Sequence, residues 1–110
     1  MRKIESELRD AIRDFRPFHK GNTAFVKHFG SDDIWALYLH GNRIATFNRR
    51  SDTPTIPTEI SLAGWNSNTT RSRLNALDGV SVHTKNFTPY LNGHEISVYG
   101  QYDPKTGMLR

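Results

Sequence analysis

The chain has no cysteine. Disulfides, thiol chemistry and a cysteine-ligated zinc are thereby excluded, and a reducing compartment such as the cytosol is the natural setting. Long apolar runs are missing too. Charges are spread through "MRKIESELRDAIRDF", so no apolar leader is read there, and no stretch approaches the roughly 18 residues of a membrane span. A Walker loop, a dinucleotide-binding glycine fingerprint and a nucleophile elbow are also absent. The five histidines, His19, His28, His40, His83 and His94, are scattered and none pairs at metal-ligand spacing. No catalytic residue, metal ligand or cofactor is therefore assigned. His40 is the best catalytic candidate only because a hairpin rim is exposed, and it reads equally well as a solvated strand end. Two Asn-x-Thr sequons, at Asn68 and Asn86, read as chance matches without a secretory signal.

What is present fits a globular protein. With 110 residues, 35% hydrophobic and 24% charged, the chain has the size of one domain, 1–110, able to bury one sheet with one or two helices. The mean hydropathy of -0.65 is polar, yet six Phe, four Tyr and two Trp supply apolar surface that disordered chains lack. Fifteen Lys and Arg against eleven Asp and Glu give +4. That modest excess suits nucleic-acid binding without requiring it.

Periodicity then divides the chain. Ile4, Leu8, Ala11, Ile12 and Phe15 recur at helical spacing, predicting a helix over 1–16 that Pro17 ends, with Glu5 and Arg9 as an exposed i,i+4 pair. From Asn22 the period falls to two, and "DIWALYLHGNRIATFN" reads as two strands joined at Gly41-Asn42. Residues 50–58, with two prolines, read as a loop. "EISLAGW" reads as a strand, and a short helix follows from about Thr69 to Leu77, with Gly79 as its left-handed cap. Further strands surround Asn92-Gly93, and the tail 103–110 is expected to fray. The predicted class is α+β, a mainly antiparallel sheet of five to six strands with an N-terminal helix and one short internal helix.

The segment "GWNSNTTRSRLNAL" concentrates polar side chains at a strand-to-helix junction. Ser67, Asn68 and Thr69 are N-cap types, whereas Arg71 and Arg73 fall near a helix start, where the dipole disfavours cations. Either the arginines turn outward or pair with acids such as Glu59 or Asp78 and the polar run is an elaborate cap, or they converge with the hydroxyls on an anion. On the second reading the binding residues are Asn68, Thr69, Thr70, Arg71 and Arg73, with Arg43, Arg49, Arg50 and Lys85 extending a basic surface. Trp65 and Trp35 are both expected in the core.

"KGNTAFV", "LYLHGNRIA", "ISLAGWNSNTTRSRLNAL" and "YLNG" resemble a group of small accessory proteins encoded by tailed bacteriophages. In that group a strand ending in Gly-Trp leads into a Thr-Thr-x-x-Arg-Leu-Asn segment. The likeness covers roughly residues 20–98, without the N-terminal helix or the proline loop as recognised features. It implies a cytoplasmic protein of an infected bacterium that binds a host or defence protein complex, for instance a CRISPR effector, with or without its nucleic acid. No membrane role follows, and a homodimer through exposed sheet edges is possible on general grounds. The leading expectation is a non-enzymatic inhibitor acting through its basic surface. The alternatives are a nucleic-acid-binding module stacking bases on Tyr38, Phe47 and Tyr99, and a small enzyme acting on a phosphorylated substrate.

Overall fold

Five strands follow one another as antiparallel neighbours because each link is a short turn or loop. The computed structural model describes residues 2–110. Helix α1 (Lys3–Asp14) leads into β1 (Phe18–Lys20), β2 (Thr23–Lys27), β3 (Ile34–Leu39), β4 (Asn42–Asn48) and β5 (Glu59–Ser61). Helix α2 (Asn68–Asn75) follows, then β6 (Val82–Lys85), β7 (Thr88–Leu91), β8 (His94–Glu95) and β9 (Gln101–Tyr102). The six-stranded sheet has the order β1-β2-β3-β4-β5-β9, and β6-β7-β8 form a separate three-stranded sheet. Every pairing is antiparallel. The α+β class expected from the pattern is the class observed. The strands after α2 make their own sheet, and only β9 returns to the main one.

One sheet face carries the core. Phe25, Leu37 and Ala45 stand in register across β2, β3 and β4, as do Trp35 and Phe47, and all are buried. The rings pack closely: Phe25 lies 5.0 Å from Trp35 and 5.5 Å from Phe47 between centroids. Each such burial contributes about 1.5–3 kcal/mol. Phe47 is thus unavailable as a stacking surface. Tyr99 is exposed in the loop before β9, so of the three expected platform aromatics only Tyr38 lies on the open sheet face.

Helix α1 ends in a Schellman motif, with Arg16 N–H bonded to Ala11 O and Phe15 N–H to Ile12 O. The left-handed position, φ 48°, holds Phe15 instead of glycine. Its ring packs 5.8 Å from Trp35, an apolar contact that offsets the conformational cost. The β3–β4 turn also differs from expectation. Leu39 pairs with Asn42, so the turn residues are His40 and Gly41, with φ 52° and 78°, the type I′ pattern that matches strand twist. Strand β1 lies ahead of the expected start at Asn22.

Helix α2 stops at Asn75, sooner than predicted, because Asn75 is clamped to β6. Its Nδ2 donates to Val82 O, and its Oδ1 accepts from Val82 N–H. Gly79 is left-handed at φ 73° beyond the cap residue Ala76, and a Cβ there would meet Ile56 at 3.0 Å. That contact places the proline loop against the end of α2, and Thr55 also donates to Asp78. At the terminus, Tyr102 bridges Leu109 and Arg110 N–H bonds Gln101 O.

Among the described residues the interior holds one ion pair, Arg73 Nη1 to Glu5 Oε2 at 2.8 Å, with both side chains 6% exposed. Arg73 therefore pairs with neither Glu59 nor Asp78, and Glu5 does not pair with Arg9, which bonds Asp78 instead. Burial pushes the Glu5 carboxyl up, but hydrogen bonds from Ser72, Arg73 and the Arg2 backbone, with the Arg73 charge, outweigh it and hold it below 4.5. This contribution to stability is present above pH 4.5 and is lost as pH falls through the depressed value.

Glu5→Ala should cost about 3–5 kcal/mol in urea unfolding, because it strands a buried guanidinium. Glu5→Leu with Arg73→Met should cost clearly less. In the wild type the urea midpoint should fall more steeply below pH 4.5 than in Glu5→Gln.

Candidate functional site

The junction between β5 and α2 is built by two consecutive left-handed residues, Ala63 at φ 52° and Gly64 at φ 87°. Gly64 N–H bonds Val98 O and Trp65 N–H bonds Leu62 O. This turn leaves Leu62 in the core at 0% exposure and swings Trp65 out to 64%. The expectation that Trp65 anchors the core is therefore overturned: Leu62 takes that place.

Outside the turn lies a groove of about 380 Å³ between the β3–β4 turn and the junction. Leu39, Ile44, Leu62 and Ala63 supply apolar lining and Trp65 an aromatic wall, while His40, Asn42, Ser67, Thr69 and Thr70 are its polar members. Ile44 reaches it because of a bulge: the β3–β4 register passes from Leu37↔Ala45 to Tyr38↔Arg43, skipping Ile44.

Beside the groove, Ser67 caps α2, its Oγ accepting from Thr70 N–H at 3.1 Å. With the helix starting at Asn68, Arg73 falls in its last turn, where the dipole favours a cation. The apparent conflict at Arg73 disappears. Arg71 remains. Its Nη1 donates to Asn66 O at 3.0 Å and Asn66 Oδ1 at 2.5 Å, and its Nη2 to Asn68 Oδ1 at 2.5 Å. All three acceptors are neutral, and among the described residues no carboxylate lies within ion-pair distance of Arg71. A guanidinium has five N–H groups, so hydrogens on Nε and Nη2 are left as donors.

A polar chain links the core pair to the groove. Arg73 Nε donates to Thr23 Oγ1, whose hydroxyl donates to Asn22 Oδ1, and Asn22 Nδ2 stands 3.3 Å from His40 Nε2. Because Asn22 Oδ1 can only accept, the Thr23 hydroxyl hydrogen goes to it. That orients the Asn22 amide with its Nδ2 toward His40 Nε2.

The predicted binding residues separate in space. Asn68, Thr69, Thr70 and Arg71 gather at the junction, whereas Arg73 is buried and unable to meet a partner. Arg43 approaches Glu59 at 4.0 Å; Arg49 and Arg50 lie past the far end of β4 and share Asp33. These acids offset their charge. Among the described residues Lys85, exposed at the end of β6, and Arg2, at the start of α1, are in no ion pair, whereas the Lys3 charge helps hold the Glu7 carboxyl below its ordinary value. Both groups adjoin α2: Ser72 donates to Glu5, and Asn75 bonds the Val82 backbone of β6. Sequence reasoning missed Glu5, Thr23, Asn22 and Asn66. Glu5 alone left a trace, as a charge on the apolar stripe, three residues before Leu8 and seven before Ile12. Among the described residues no three His, Asp or Glu side chains gather as a metal site, and no helix is long and apolar enough to cross a membrane.

Fold and site together define a small α+β protein with an aromatic-walled groove beside an arginine that lacks an acid partner. The chain belongs to the Kyanoviridae Gp96 protein family, whose model matches residues 1–108, and it is a bacteriophage protein. The match includes α1, outside the span 20–98 of the resemblance, and the proline loop, which is not among its recognised features. No curated protein and no solved structure matches the chain.

Trp65→Ala should change unfolding free energy by no more than about 0.5 kcal/mol, whereas Phe25→Ala should cost about 3–5 kcal/mol. Acrylamide should quench the Trp65 emission and leave that of Trp35 largely protected, and equal quenching of both indoles would contradict the placement.

Proposed function

We propose that this phage protein acts without chemistry of its own, binding a host or defence macromolecular complex in the cytoplasm of the infected bacterium and blocking it by occlusion. A CRISPR effector is one example of such a target. The carrying observation is Arg71, a cation held in place by three neutral oxygens and left without a carboxylate. Fixing the side chain beforehand lowers the entropy lost on binding. Arg2 and Lys85 lie on elements that adjoin α2 and, among the described residues, are in no ion pair, which adds cations to the +4 chain's surface near Arg71. The basic surface proposed is therefore smaller than the one expected from sequence: Asn68, Thr69, Arg71 and Lys85 belong to it, and Arg73 does not. Arg43, Arg49 and Arg50 contribute less because each faces an acid.

Exposed aromatics beside these cations favour recognition over mere charge attraction. Trp65 is 64% exposed and Phe87, at the tip of the β6–β7 hairpin, 99%. Aromatic and Arg side chains supply most of the energy at many interfaces, while charge chiefly sets encounter rate and partner choice.

Affinity capture from infected cells tests the reading. Wild type should retain a specific complex, and Arg71→Glu with Lys85→Glu should lose it at least about tenfold, the effect of roughly 1.4 kcal/mol. Arg50→Ala should retain it. Capture of the same complex at the same yield by the charge-reversed variant would remove the proposal.

A further inference from the structure

We infer that the groove beside Trp65 receives an unpaired base of a single-stranded nucleic acid whose phosphate is held by Arg71. The inference rests on the proposed macromolecular binding and names the chemistry that this site grips.

Three observations meet at one residue. Asn66 stands between Trp65 and Ser67, both of which line the groove, and it accepts two hydrogen bonds from Arg71. Through Asn66 the guanidinium is tied to the segment that carries the aromatic wall, while Arg71 itself lines the adjoining pocket with Asn68, Ser72 and Asn75. An occupant must fill a half-apolar groove of about 380 Å³ against an indole and bring a negative group within reach of the nearby arginine. A nucleotide joins a flat π-system and an anion in one unit. An Asp or Glu side chain would reach the arginine and leave the apolar lining empty, and an aliphatic side chain would do the reverse. His40, Asn42 and Thr69 offer polar groups to the edge of a base, while Trp65 offers a face suited to any base. The base must leave its duplex stack to enter, so single strands are the substrate class.

The surface continues beyond the groove. Asn66 Nδ2 bonds Thr84, tying the junction to the β6–β7 hairpin that carries Lys85 and Phe87. Asn86 and Phe87 occupy its turn at φ 51° and 67°, positions that favour Asn and Gly. A Phe there is conformationally costly and 99% exposed, a strained display that points to use in recognition. Trp65 and Phe87 supply exposed aromatic faces and Arg71 and Lys85 supply cations, the two kinds of group that hold single strands.

Titration of the intact protein with short labelled homopolymeric DNA and RNA at low salt, read by anisotropy, tests this. Oligonucleotides should bind, with Trp65 emission quenched and Trp35 unchanged. Trp65→Leu should weaken binding roughly five- to hundredfold, and Arg71→Ala should reduce the slope of log K against log salt by about 0.7. Circular dichroism and urea midpoints near wild type should accompany both losses, since neither side chain is in the core. Absence of oligonucleotide binding, unchanged affinity in Trp65→Leu, equal affinity for a duplex, equal affinity for a mononucleotide, or binding of polyglutamate in place of oligonucleotides would each overturn the inference. Loss of captured complex in the Arg71 charge reversal together with no oligonucleotide binding would discard this inference alone and leave the proposed function standing.

Discussion

The Glu5–Arg73 ion pair is the contact on which the arrangement of the two helices depends. Taking two charges out of water is expensive, and the attraction between them repays it only when geometry is good and the remaining polar atoms are satisfied. Here they are: Ser72 also donates to Glu5, and Thr23 accepts from Arg73. One bonded cluster therefore joins α1, α2 and the start of β2, elements far apart in sequence. Apolar contacts would hold these elements together in several registers, because hydrophobic attraction has no direction. A buried pair with fixed partners tolerates one. That register puts the start of α2 opposite the β3–β4 turn, and the groove lies between them.

Two arginines separated by a single residue meet opposite fates because residues two apart on a helix point about 200° from each other. Arg73 points into the core and is consumed by structure. Arg71 points outward and is braced by amides that orient it without neutralising it. The tryptophans divide in the same way. Trp35 sits in a strand between covered neighbours and joins the aromatic stack, while Trp65 follows two left-handed residues that turn it away from the core. Membership of the Kyanoviridae Gp96 family supplies the phage setting for an exposed aromatic and a poised cation, and their geometry supplies the chemistry.

Much of the fold was legible because it follows from local periodicity and turn chemistry. The N-terminal helix shows a three- and four-residue apolar spacing, the Asn92-Gly93 hairpin carries its turn in two residues, and the junction advertises its caps. Errors fell where a distant contact outweighed a local preference. The β3–β4 turn moved by one residue because pairing of Leu39 with Asn42 kept the core face in register. Helix α2 ended early because Asn75 found the backbone of β6. Glu5 looked like a solvent-facing member of an i,i+4 pair, and nothing near it in sequence showed that Arg73 would cover it.

The sequence by itself determined the α+β class, the two helices, the hairpins and the concentration of polar groups at residues 64–77, since each depends on spacing, propensity or composition read within a few residues. Only the tertiary structure decided which arginine is free, which tryptophan is exposed, and that Leu39, Ile44 and Leu62 line one groove with His40. Charge is a property of a side chain, but availability is a property of its surroundings. Partners at separations such as the 68 residues between Glu5 and Arg73 leave no mark on local pattern.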